Sequence, residues 1–396
     1  MPPSQDAPRY EPYDSTAGRP RSRRPWVGRL ANRWSGLLGS TLVLGGLFAL
    51  EGGFVGDPEW LPGEWQPVPI DWLFYVSLLV LGWLVIVPAL AHRRSLLSRY
   101  WRVIRGDPVA AACLLWIIGF VVAGLVGPSV VSHLGPRLTE SYQPPLFGRT
   151  PIAVAGECVG PTAGGYCYGS LTLPFGTDTI GRNLFANVLA GSRVSLQVVT
   201  IVLAMSMPIA LVVGSTAGYL GGWFDELVMR YVDIQQTLPA FLIYLILSYV
   251  YGTSLFLFVI VFGLLSWGNV ARVVRSEVLE LREREFVQAG RCYGLTPIAL
   301  LRRHVVPNLS GTVFTAASST VAWILLVEAA LSFMHLTDPS RESWGRLMAS
   351  GLGTRHDFFD VWWLLVLPGV ALMLTIVAVA ILGDRLRDVS DPTTTI

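Results

Sequence analysis

Chemistry, if this chain performs any, has to come from few side chains. The four cysteines are Cys113, Cys158, Cys167 and Cys292, and the five histidines are His92, His133, His304, His335 and His356. The histidines are scattered and fall at none of the short spacings that bring imidazoles onto one metal ion. There is no Cys-x-x-Cys, no Ser-His-Asp arrangement and no pair of carboxylates placed for acid–base work. All 29 basic residues are arginine, whereas a phosphate-gripping P-loop needs its lysine. An ordinary nucleotide-hydrolysing subunit is therefore excluded. No catalytic residue, metal site or cofactor held by this chain is expected. One thiol pair remains. Cys158 and Cys167 lie in GECVGPTAGGYCYG, where Gly160, Pro161, Gly164 and Gly165 let the chain turn back on itself. In an oxidising compartment they can close a disulfide; otherwise they are two thiols in a flexible loop.

Composition sets the elements that would position these groups. Of 396 residues 52% are apolar and 14% charged, against about a quarter charged in a soluble protein. The mean hydropathy is +0.53, and lipid is the expected solvent. A membrane helix needs about 20 mostly apolar residues. The segments that qualify are 35–50 (a short one), 72–91, 108–127, 194–217, 238–254, 255–271, 312–334 and 361–383. Residues 1–34 are polar and rich in Pro and Arg, and read as a disordered basic tail. Its basic region is too long for a signal peptide, and no small-residue cleavage site follows. Arginine in short loops stays on the cytoplasmic side. The tail and HRRSLLSRYWRVIRGDP (92–108) are basic, whereas 51–71 carries Glu51, Asp57, Glu59, Glu64 and Asp71 with no arginine. The expectation is an all-α, multi-pass protein of the cell membrane with both termini cytoplasmic.

Between two apolar segments lies REREFVQAGRCYGLTPIALLRRHVVPNL (282–309), charged and broken by glycine and proline. As a helix, 284–293 puts Phe286, Ala289, Gly290 and Tyr293 on one face, with Glu283, Arg284, Gln288 and Arg291 around the rest. Gly294 supplies a left-handed backbone at its end. Thr296 is the N-cap and Pro297 the first residue of a second short helix, 297–306. That helix shows Ile298, Leu301 and Val305 on one face. Arg302, Arg303 and His304 gather near its end, which Pro307 closes. Two readings are open: a solvated loop on the bilayer surface, or a knob that enters a groove on a soluble partner.

The stretch resembles the EAA loop of ABC importer permeases, a Glu-Ala-Ala start followed by a glycine and, after a fixed gap, Ile-x-Leu-Pro. Gln288, Ala289, Gly290, Gly294, His304, Val306 and Pro307 occupy those positions. Gln stands for Glu, Gly for the second Ala, His for Ile and Val for Leu, with the spacing kept. The likeness extends over 175–392, through FGTDTIGRNLFANVLAGSRVSL (175–196), GYLGGWFDELVMRYVDIQQTLPAF (218–241), EAALSFMHL (328–336), ESWGRLMASG (342–351) and WWLLVLPGVALMLTIVAVAILGDRLRDVSDP (362–392). In this order they resemble segments of the dipeptide, oligopeptide and nickel permeases, best of all the "C"-type subunit. RVIRGDPVAAACLLWIIGFVVAGLVGPSVV (102–131) looks like that subunit's first span.

The resemblance implies a type I importer core of six spans, with the hairpin 35–92 as an addition packed outside it. The chain then divides into the tail 1–34, the hairpin 35–92, a cytoplasmic loop and first core span at 93–129, an external loop at 130–186, the permease domain at 187–385 and a cytoplasmic tail at 386–396. It implies that 282–309 docks in a cleft of an ATPase, with Glu285, Tyr293, Pro297, Arg302 and Arg303 beside the motif residues. The implied partners are a homologous second permease, two cytoplasmic ATPase subunits holding ATP and magnesium, an extracytoplasmic substrate-binding protein and membrane lipid, with no nucleic acid. Peptide is the expected cargo, with nickel or another small solute as the alternative. The alternative of a different class is a secondary transporter or channel without ATPase. Internal repeats and broken mid-membrane spans would signal it, and the sequence shows neither pattern.

Other residues carry weaker expectations. Gly214, Gly218 and Gly222, four apart, let helix backbones approach closely. Glu328 is a charge inside a span, where it costs at least a few kcal/mol, so it pairs structurally or contacts cargo. Asp225, Glu226, Arg230 and Asp233 suggest an Arg–Asp pair bracing their helix. The loop before 187 is long for a connection without structure. Its end, 181–193, can form an amphipathic surface helix, and the rest is a candidate rest for the binding protein.

Overall fold

Helix length and apolarity decide the architecture. The computed structural model describes residues 69–83, 94–131, 137–352 and 358–390, all within the unit Trp60–Ile396. The tail 1–34, the expected span 35–50 and residues 391–396 lie outside the described residues. Helices α1 (Pro69–Leu81), α2 (Arg94–Gly106) and α3 (Pro108–Val131) precede a small sheet, and α4 (Leu184–Leu220) follows it. Then come α5 (Gly222–Thr237), α6 (Ala240–Tyr251), α7 (Leu255–Leu265), α8 (Trp267–Leu281), α9 (Glu285–Cys292), α10 (Pro297–Leu300), α11 (Ser310–Phe333), α12 (Trp344–Leu352) and α13 (Trp363–Ser390).

Among the described residues, five helical stretches are long and apolar enough to cross a membrane. They are Pro108–Gly127, Leu184–Leu220, Leu255–Leu281, Pro297–Phe333 and Trp363–Val389, with a sixth if α5 and α6, bent by 60°, count as one span. The separate span expected at 238–254 is thus corrected. α6 has 12 residues, about 18 Å of helix, too short to cross alone. The break has a local cause: Leu238 precedes Pro239 and is extended (φ −83°, ψ 112°), as residues before proline are driven to be. The span expected to stop at 271 instead runs on through Ser266 to Leu281. Trp267, Val270, Ala271, Val274 and Val278 are buried along α8 and hold that extension against the core.

α4 organises the bundle. Its 37 residues extend about 55 Å, and α1, α3, α7, α8 and α11 all pack against it. It begins at Asn183, whose side chain accepts from the Phe185 and Ala186 amides at 3.0 and 3.3 Å, satisfying orphan donors of the helix start. The surface helix expected at 181–193 is therefore the start of α4 itself. Along its other half, α4 crosses α8 at near backbone contact. A Cβ at Gly214 would lie 2.5 Å from the Ala271 carbonyl oxygen, and one at Gly218 would lie 2.8 Å from that of Arg275. Gly222 stands apart from this contact, in the turn to α5 at φ 61°.

The core runs through α4, α6, α7, α11 and α13, with Ile201, Phe258, Phe262 and Ile324 fully buried. α1 belongs to the same core: Phe74 is 0% exposed and Ile70 4%. The part of the hairpin that is described packs one face, Ile70, Phe74 and Ser77, against α4 and α7. Leu and Val alone mark a segment as apolar; they do not say which neighbour covers it.

The connection before α4 is ordered too. Strands β1 (Arg149–Pro151), β2 (Thr162–Ala163) and β3 (Tyr166–Tyr168) form an antiparallel sheet in the order β1-β3-β2. Cys158 and Cys167 are joined by a disulfide with Cα atoms 5.8 Å apart. The Thr150 hydroxyl donates to the Asp360 carbonyl at 2.9 Å and the Trp363 indole to that of Thr177 at 3.1 Å, tying the insert to the start of α13. Arg182 bonds both Asp178 and Glu342 at 2.7 and 3.0 Å. Burial alone would lower its guanidinium, but the hydrogen bond and charge of Asp178, then Glu342, hold it above the usual range.

Candidate functional site

The charged stretch 282–309 folds as a hairpin whose inner side is apolar. Gly290 is buried, and Val287, Leu300, Val305 and Leu309 are buried and join Met207, Ala210, Val232, Trp267, Val270 and Val274 in one cluster. The hairpin is thereby rooted in α4, α5 and α8 and does not lie loose on a surface. Of the residues expected on the two apolar faces, Gly290 and Val305 are buried. Phe286, Tyr293 and Ile298 are 42%, 88% and 70% exposed, and Ala289 is exposed as well. The inward residues are Val287 and Gly290 on the first helix and Leu300 and Val305 beyond the bend. The reason is spacing: Phe286 and Tyr293 share a face with each other, whereas Val287 and Gly290, three apart, share the one that meets Leu300.

Each turn of this hairpin has a local cause. Gly294 is left-handed at φ 74°, and Leu295 donates its amide to the Gly290 carbonyl at 3.2 Å while Gly294 donates to Arg291 at 2.9 Å. These paired bonds are the standard closure of a helix on a left-handed residue. The Thr296 side chain accepts from the Ala299 amide at 3.4 Å and Pro297 opens α10, as the sequence suggests. Gly290 packs close to the second arm: a Cβ there would fall 2.6 Å from Leu300 Cδ2. An alanine at 290 would require the end of the Leu300 side chain to shift.

Pro307 does not close the second helix, a further correction. α10 widens into a π turn at Leu301–Val305, tightens into a 3-10 turn at Val306–Leu309 and enters α11 without a break. Proline lacks the N–H that a regular α ladder needs. A change of winding around it keeps the chain helical. The Asn308 side-chain amide donates to the His304 carbonyl within this region. The hairpin is therefore the foot of a helical rod that ends at Phe333.

Its outer side is charged. Arg302 and Arg303 are exposed and His304 is half-buried, with its ring 6.4 Å from that of Phe286. Glu285 stands in the first turn of α9, and Gln288 donates to the Glu283 carbonyl at 3.1 Å. The Arg291 guanidinium lies over the Tyr219 ring at 5.3 Å, and Arg282 donates to the Gly218 carbonyl at 3.2 Å. The acidic residues of α5 act between helices: Asp225 takes both Nε and Nη2 of Arg275, and Asp233 pairs with Arg272. Only Arg230–Glu226 is a pair within that helix. An exposed apolar tip rimmed by arginines, on a rooted and rigid hairpin, suits insertion into a groove with an acidic edge.

Glu328 lies far along α11 from this tip. It is fully buried, and its Oε1 accepts from the Ser332 hydroxyl at 2.7 Å; that hydroxyl is also 2.6 Å from Thr337. Its hydrogen-bond partner is a hydroxyl and not a cation.

Comparison with known proteins extends this geometry. A family model described as "binding-protein-dependent transport system inner membrane component" matches residues 210–396, which include the whole hairpin. A putative peptide permease protein of Brucella suis biovar 1 is 39% identical over 220 residues, 55% of this chain and 72% of that one. The oligopeptide transport system permease protein OppC of Haemophilus influenzae is 35% identical over 233 residues, 59% of this chain and 72% of its own. A putative peptide transport system permease protein of Brucella suis biovar 1 is 35% identical over 219 residues, 55% and 73%.

Proposed function

This chain belongs to the family of binding-protein-dependent transport system inner membrane components, and from that premise we propose that its cargo is a dipeptide or oligopeptide and that 282–309 couples it to an ATPase. The chain is a multi-pass membrane protein and a permease component of an ABC transporter. In the proposed arrangement it forms half of a translocation pore, paired with a homologous second permease. Two cytoplasmic ATPase subunits hold the ATP and magnesium and perform the hydrolysis, so this chain contributes no catalytic group. A substrate-binding protein delivers cargo on the opposite side, and both termini are cytoplasmic. The names of the relatives, peptide permease and oligopeptide permease, support the cargo.

One observation carries the coupling role: the hairpin is rooted by Val287, Leu300, Val305 and Leu309 and continues without a break into α11. A push on the exposed tip at Phe286, Tyr293 and Ile298 therefore reaches a membrane-crossing helix through continuous backbone. The mechanism is alternating access driven from the hairpin. Its test is reconstitution with the second permease, the ATPases and the binding protein in liposomes. Labelled oligopeptide should enter only with ATP present, and exposed-tip variants such as Tyr293→Glu should abolish uptake while leaving insertion intact. Uptake that needs no ATPase, or that accepts nickel and rejects peptide, would overturn the reading.

A further inference from the structure

Asp71, in the first turn of α1, is the junction of three separate pieces of chain. Its Oδ1 accepts from the Gln197 side-chain amide and lies 3.4 Å from Arg193 Nη2, and its Oδ2 accepts from Arg341 Nη2 at 3.1 Å. Arg341 also donates to Gln197 Oε1 at 3.2 Å, closing the ring. Arg193 donates to the Tyr75 hydroxyl at 3.2 Å and lies over the Phe74 ring at 4.6 Å. The side chains of Asp71, Arg193 and Arg341 are only 14%, 13% and 20% exposed, and Gln197 is fully buried. One carboxylate thus bridges two guanidiniums in a poorly hydrated place, where an unpaired charge is costly.

The position of Arg341 gives this cluster a consequence for transport. Arg341 lies in the segment 334–343 that joins α11 to α12, at the opposite end of the helical rod from the hairpin. The family model begins at residue 210, so α1 and Asp71 lie outside what it describes. We propose that Asp71 is a positioning residue for transport: through Arg341 it pins the far end of the α10–α11 rod to α4, with α1 as the strap. Movement of the hairpin then turns the rod about a fixed end. Without the pin, the segment 334–343 absorbs the movement. This rests on the coupling role proposed above.

The test uses the complete transporter in liposomes with Asp71→Ala, Arg341→Gln and the double variant. Asp71→Ala leaves two guanidiniums facing each other; uptake at saturating cargo should fall about tenfold, with ATPase binding at the distant hairpin unchanged. Residues in one ion-pair network couple by roughly two- to a hundredfold, so adding Arg341→Gln should recover at least about threefold of the loss. A second readout needs no transport. Thr337 is buried, 2.6 Å from Ser332. In a chain with Cys113→Ser and Cys292→Ser, a Thr337→Cys variant should react with a maleimide about tenfold faster once Asp71 is replaced. Where Asp71→Ala fails to insert, Arg341→Gln, which leaves α1 untouched, makes the same comparison. Uptake and labelling both within twofold of the unmodified protein, or single effects that simply multiply, would overturn the proposal. Wild-type liposomes that take up no peptide would sink the transport reading alone, since labelling still decides the pin.

Discussion

Replacing Gly294 isolates the geometry of the hairpin from its contacts. A Cβ at this position meets nothing within 4 Å, so Gly294→Ala introduces no clash. The cost is carried by the backbone at φ 74°, about 1–2 kcal/mol for an L-residue in the left-handed region. If the ATPase selects the hairpin with this turn intact, its affinity falls by the same amount, about 5- to 30-fold in Kd. Asparagine visits the left-handed region more readily, so Gly294→Asn should lose distinctly less than Gly294→Ala. The assay is titration of the permease, held in lipid nanodiscs, with the ATPase subunit, together with the melting temperature of each variant. In the unbound permease the exposed turn can open to relieve the strain while Val287 and Leu300 hold the arms, so melting should stay close to that of the unmodified protein. The charge contribution is separable: Arg302→Glu with Arg303→Glu should weaken binding with the turn unaltered. Binding within twofold for Gly294→Ala, or equal losses for Ala and Asn, would refute the claim that the turn sets the dock.

Further outcomes follow from the same packing. Gly214→Val must push against the Ala271 carbonyl oxygen, which lies 2.5 Å from a Cβ. Overpacking of this kind costs about 1–3 kcal/mol, and the purified protein should melt at a lower temperature, whereas Gly222→Ala, in open space at φ 61°, should lose only the backbone term. Cys158→Ser with Cys167→Ser removes a loop closure of nine residues' separation, worth about 2–3 kcal/mol on the chain-entropy model. Faster proteolysis within 137–183, with insertion unchanged, is the expected result. Cys292 is exposed and Cys113 half-buried. An impermeant thiol reagent should label Cys292 only after the membrane is opened, and labelling in sealed cells would reverse the proposed orientation.

Much of the fold is legible because lipid reads a coarse code. Apolar length alone locates 108–127, 312–334 and 361–383 on the helices α3, α11 and α13, although α13 runs on to Ser390. It fails where backbone chemistry decides. Pro239 sets a break at the start of the apolar run, and α6, bent by 60° from α5, is too short to be a span of its own. It fails again at α8, whose arginines Arg272 and Arg275 read as the end of a span, although they are neutralised by Asp233 and Asp225 across the bundle. Those partners lie 39 and 50 residues away, beyond any local pattern.

The hairpin is legible for the opposite reason, since its signals are local. Gly294, Thr296 and Pro297 each act on their own backbone, and a reading of neighbours suffices to place the bend. Which side faces inward is a different kind of fact, because it depends on where Trp267 and Val274 of α8 lie. Pro307 shows the limit most clearly. In isolation a proline ends a helix, and 297–306 reads as a short element beside a separate span. In the bundle, Leu300, Val305 and Leu309 are held by the cluster on α4 and α8, and that burial, worth roughly 1.5–3 kcal/mol per large apolar side chain, is comparable with the roughly 3 kcal/mol cost of a proline within a helix. The winding changes and the helix continues. Had it ended, the tip and the membrane span would be joined by a flexible link, and a push at Tyr293 would dissipate there. Continuity through Pro307 is therefore the feature on which the proposed coupling depends, and it comes from tertiary packing that no local signal announces.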